Sequence, residues 1–127
     1  MGYLEPVQLQ IDMLFSMGEG YESEYVLYSL REYDTGDSSI IPLIDSWRTG
    51  SSGEIEESLT SMKNDTPKIY ESLVENRNNA WVPIIEQYLE NDTVEFIIVG
   101  LAHMYGPEGL LVQLQDRGYR IEQLHIK

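Results

Sequence analysis

The chain has 127 residues, room for one domain with a modest core, and 42% of them are hydrophobic, which argues against disorder. Its 22 Asp and Glu against 8 Lys and Arg give a net charge of −14, a poor match for nucleic acid or anionic membrane surfaces, where clustered basic side chains are needed. With no cysteine there is no disulfide framework, zinc–thiolate site or thiol nucleophile. No apolar run approaches the roughly 20 residues of a membrane helix. The acidic surplus would draw cationic partners or divalent metals, and its plainest role is solubility.

The first two thirds read as helices. Glu5 and Pro6 open one with Val7, Ile11, Leu14 and Phe15 on one face, closed by Gly18 to Gly20. Tyr21, Tyr25 and Tyr28 with Leu27 and Leu30 predict a second helix, ended by the turn signal Asp34-Thr35-Gly36-Asp37. Ser39 caps a third, with Ile40, Ile41, Ile44 and Trp47 inward and Gly50 just past its end. Ile55, Leu59 and Met62 mark a short helix, and Asn64-Asp65-Thr66-Pro67 starts another carrying Ile69, Tyr70, Leu73 and Val74. Pro83 is costly inside a helix, at roughly 3 kcal/mol, so the pattern predicts either a break near Asn76 with a restart or one long kinked helix. Trp81, Ile84, Ile85, Tyr88 and Leu89 are expected to bury the second half.

The last third reads differently. Phe96-Ile97-Ile98-Val99 suits a buried strand, and Gly106, Pro107 and Gly109 suit a tight loop. Leu110, Leu111 and Leu114 recur at helical spacing up to Gly118, and Tyr119 to Gln123 alternate. The expectation is an α+β to α/β fold, helix-rich, ending in a βαβ unit with a strand at about 94–100, a helix at about 107–117 and a strand at about 119–125. Two parallel strands make a poor sheet alone. The chain, read as a single domain over 1–127, is therefore expected to be part of a larger α/β fold, completed by an upstream half, a second copy or compensating helices.

His103 would stand at the carboxyl end of the first strand, where open sheets place ligands, and imidazole serves as metal ligand or general base. The alternative is a loop histidine bonded to backbone. His125 reads as a solvated strand end, and Glu108 as compensation of a helix dipole. Arg77 and Asn78, beside Glu75 and Asn76, form a second candidate cluster; a structural salt bridge is its alternative. The nine tyrosines read as core edge rather than as an aromatic cage. There is no Gly-x-Ser-x-Gly elbow and no phosphate loop.

Three motifs, in order, resemble the TraB/GumN family, which includes the Tiki metalloproteases. Gly2-Tyr3-Leu4-Glu5 with Gln10 is similar to its Gly-Leu-Glu-Thr…Gln helix entry. Arg77-Asn78 with Trp81 is similar to its Glu-Arg-Asn segment. Gly100-x-x-His103, Gly106, Gly109 and Arg117-Gly118-Tyr119 are similar to its closing segment. The resemblance covers the C-terminal half of a family member, without the earlier Gly-x-x-His. It implies metal-dependent peptide hydrolysis with manganese or cobalt at His103, Gly100 as positioning glycine, and Arg77, Asn78 and Glu75 about the reacting group. In this sequence Asn76 stands where the family has its glutamate, and Glu75 is displaced by about 100° on a helix. With half of the family's site absent, the chain alone is expected to be inactive, with a peptide or protein as substrate, a secreted or cell-envelope setting, and the missing half or a second copy as partner. The alternative from another class is a non-catalytic peptide-binding or sequestering module. Glu5, the remaining matched position, is expected to serve helix entry.

Overall fold

The computed structural model describes residues 2–124. Its order is α1 (Val7–Ser16), α2 (Glu22–Thr49), α3 (Gly53–Asp65), α4 (Pro67–Tyr70), a π-helical turn (Glu71–Glu75), α5 (Asn76–Leu89), a 3₁₀ turn (Leu101–His103) and α6 (Leu110–Asp116). Two linked clusters form the core. Ile55, Leu59, Tyr70 and Val74 join α3 to the α4–π segment, and Trp81, Val82, Ile85 and Leu110 join α5 to α6.

No strand is present among the described residues, so the expected βαβ unit and the α+β or α/β class give way to a helical fold. Residues 94–99 still carry the pattern of a strand: Ile97 and Val99 turn onto the Trp81–Leu110 cluster, whereas Val94, Phe96 and Ile98 face solvent. What they lack is a neighbour. No backbone group of 94–99 bonds to other backbone among the described residues. The segment meant to pair with it leads elsewhere, for Gln123 Nε2 donates to the Gly50 carbonyl at 2.9 Å, at the far end of α2. His125 and the end of that segment lie outside the described residues.

Other boundaries shift for local reasons. The turn expected at 34–37 is absent: α2 runs unbroken through Gly36 and Pro42. Its inner face is held from outside, as Leu43 packs on the α3 cluster and Glu24 accepts the Lys68 and Ile69 N–H groups at 2.6 and 3.0 Å. Tertiary contact here outweighs weak propensity. Gly50 does close α2 with φ of 72°, and Gly118 stops α6 with φ of 94°. The break near Asn76 is replaced by continuous helix from Pro67 to Leu89 with one π-helical turn in it. Pro107 lies before α6 rather than in its first turn.

Candidate functional site

A cleft of about 820 Å³ opens between the N-terminal segment, α5 and residues 95–100, with Glu5, Arg77, Trp81 and His103 among its lining residues. The π-helical turn sets up α5 beneath it. One extra residue in the turn rotates the downstream helix, so that Arg77 and Trp81 meet Glu5 while Asn78, Val82 and Ile85 face inward.

Glu5 and Arg77 form a nearly buried pair, with side chains 7% and 18% exposed. Arg77 donates through Nε and Nη2 to the two Glu5 oxygens at 3.1 and 2.6 Å, and Trp81 Nε1 donates to Oε2 at 3.1 Å. Burial alone would raise the Glu5 carboxyl; bonds from Arg77, Gln10 and Trp81 outweigh it and hold it below the usual carboxylate range. Arg77 Nη1 reaches the Leu73 carbonyl at 3.3 Å, and the guanidinium lies 4.9 Å from the Trp81 ring. The expected helix-entry role of Glu5 therefore gives way to a tertiary one, since Pro6 precedes α1 without a side-chain cap.

His103 is buried, with its ring 4.4 Å from that of Trp81. Asn78, wholly buried, clamps it. The Asn78 amide nitrogen donates to the carbonyls of His103 and Glu108 at 3.1 and 2.7 Å, which leaves its oxygen to accept from His103 Nδ1 at 2.7 Å. That assignment puts the proton on Nδ1 and the lone pair on Nε2. Burial, aided by the Arg77 charge, pushes the imidazole down to about 4, so it is neutral at ordinary pH.

Glu108 lies just before α6, and its carboxylate also has tertiary partners. It takes an ion pair from Lys63 and a 2.8 Å bond from the Tyr70 hydroxyl, tying the loop before α6 to α3 and α4. Burial would raise this carboxyl, but the Lys63 and Tyr70 bonds outweigh that and lower it. Burial and the same carboxylate push the Tyr70 hydroxyl up. Among the motif glycines, Gly106 has φ of 83°, and a Cβ on Gly109 would sit 2.5 Å from the Tyr105 carbonyl oxygen. Gly100 is different: a Cβ there would meet only His103 Cδ2, at 3.7 Å.

The structure thus brings Arg77, Asn78, His103 and Gly100 together. Gly106 and Gly109 shape the loop behind them. Glu75 is half-buried in the π-helical turn and does not line the cleft. The sequence reading missed Glu5 as the partner of Arg77 and Trp81 as the wall between them and His103. The Gly-Leu-Glu and Arg-Asn…Trp motifs carried that signal, but not the contact across 72 residues.

A helical scaffold holding an open cleft above a buried Glu–Arg pair and an oriented neutral histidine is what these residues build. The chain matches the TraB/PrgY/gumN family model over residues 1–123, and it belongs to that family. Neither the curated proteins nor the solved structures give a significant match. No helix among the described residues is long and apolar enough to cross a membrane.

Proposed function

We propose that this chain is a peptide-binding module that takes an extended peptide into the cleft, alongside residues 94–99. The observation carrying this reading is the cleft wall itself: an alternating segment whose backbone donors and acceptors have no backbone partner among the described residues. A peptide laid along it gains main-chain hydrogen bonds irrespective of sequence, and Phe96, Ile98 and Tyr3 offer apolar surface for alternate side chains. At the far end His103 Nε2, held as an acceptor by Asn78, is suited to a peptide N–H. Glu95 in the wall and the net charge of −14 favour neutral or basic peptides.

The divalent metal that the family resemblance implies does not fit the donors assembled here. His103 offers one free nitrogen, Nε2, and both Glu5 oxygens are committed to Arg77 and Trp81. A catalytic metal takes about three protein ligands, and no cluster of three His, Asp or Glu suited to an ion occurs among the described residues.

The test is an NMR titration with an eight-residue peptide of alternating valine and lysine, followed by amide exchange. Slowed exchange at 94–99 with shifts at Trp81 and His103 supports the reading. His103→Ala should then weaken binding roughly threefold to tenfold, the loss of one hydrogen bond. Shifts scattered over the acidic helices, with 94–99 unprotected, would overturn it.

A further inference from the structure

The outer face of α2 is unlike a solvent-facing surface. Val26, Leu30 and Tyr33, then Ile40, Ile44 and Trp47, recur at spacings of four and three. Tyr33 and Ile40, where the two sets meet, are one heptad apart with Asp37 at the position between them, which is the register of a coiled-coil seam. All six are exposed, Tyr33 by 89% and Trp47 by 69%. The helix is held to the rest of the protein from its other side, through Glu24, Leu43 and an Arg31–Asp65 pair at 2.9 Å.

We infer that this seam is a self-association surface, occupied by α2 of a second copy running antiparallel. Three features select that occupant. The first is area: the exposed parts of the six side chains, with Leu27 and Ile41 beside them, come to on the order of 800 Å² per copy, what a stable complex buries on each side.

The second is size. A two-fold axis between residues 38 and 39 sets Leu30 opposite Trp47 and Tyr33 opposite Ile44, an aliphatic side chain against each aromatic one. A parallel arrangement would stack Trp47 on Trp47 and Tyr33 on Tyr33.

The third is charge. Up to the axis α2 carries Glu22, Glu24, Glu32, Asp34 and Asp37 against Arg31, whereas beyond it Asp45 and Arg48 neutralise each other at 2.9 Å. Antiparallel packing sets the acidic half against the neutral one and opposes the helix dipoles. Six of the seven seam positions are uncharged, and the seventh is Asp37, which the two-fold axis sets opposite Ile40 rather than opposite its own copy.

Sedimentation velocity on the full chain, over micromolar to near-millimolar concentration, tests this. The expected result is a concentration-dependent dimer. Ile40→Glu, with an unchanged circular dichroism spectrum, should abolish it, and the milder Trp47→Ala should raise the dimer Kd at least about tenfold. Because the chain has no cysteine, orientation can be read directly. Chains with Leu30→Cys should cross-link to chains with Trp47→Cys in preference to their own kind. A strictly monomeric chain, or a dimer untouched by both seam substitutions, would overturn the inference; preferential cross-linking of like with like would overturn its antiparallel form.

Discussion

His103 sets the sharpest expectation at the scale of single residues. Its folded-state value near 4 lies below the ordinary 6.5, so between these values the unfolded chain binds the proton and the folded one does not. Stability from this residue is then full above about pH 6.5 and is lost progressively as pH drops towards about 4. Urea unfolding across that range should show the loss, and His103→Gln should flatten it. Glu5 and Glu108, held low, keep their contributions above the ordinary carboxylate value of 4.5 and lose them as pH falls further, so their loss begins at the acid end of the histidine window. Glu5→Gln leaves the Arg77 charge buried without its counter-ion and should cost roughly 3 kcal/mol in the same assay. Two glycines of one motif should part company. Gly109→Ala drives a methyl into backbone oxygens and should lower Tm sharply, whereas Gly100→Ala should fold normally, since ordinary contact awaits its methyl. The residue types at this site were legible from the chain. The Glu5–Arg77 partnership was not, because no local spacing links positions 72 apart.

Elements tell a different story, in which local signals compete with packing. Asp34-Thr35-Gly36-Asp37 is a turn by composition and helix in the structure, because the segments on either side are pinned to α3 and α4. A glycine inside a helix costs about 1 kcal/mol relative to alanine. Gly36→Ala should therefore raise stability by about that amount in thermal unfolding; destabilisation would mean a turn instead. The π-helical turn was foreshadowed only as an irregularity near Asn76. Its role is geometric, for a plain α-helix through Glu71–Glu75 would rotate Arg77 and Trp81 away from Glu5. Conversely the 94–99 segment has every strand signal in its side chains and is no strand, since a ladder needs a second backbone that these residues do not find.

Charge governs the behaviour of the whole molecule. A chain at −14 repels itself when compact. Raising ionic strength from about 0.01 to 0.1 M shortens the screening length from about 30 to about 10 Å. Tm should rise over that interval. A flat Tm would mean that local pairs such as Lys63–Glu108 already offset the repulsion.

The sequence by itself determined most helix starts and stops, the glycine-closed ends of α2 and α6, the family, and the residue types gathered at the cleft. All of these rest on interactions within a few positions or on motifs read in order. Only the tertiary structure decided that α2 is one helix, that Glu5 belongs to Arg77, and that Asn78 orients His103. It also decided that the strand pattern at 94–99 goes unpaired. Each of those depends on which distant segment arrives alongside, and backbone pairing, burial and ion-pair partnership are properties of that neighbour as much as of the residue itself.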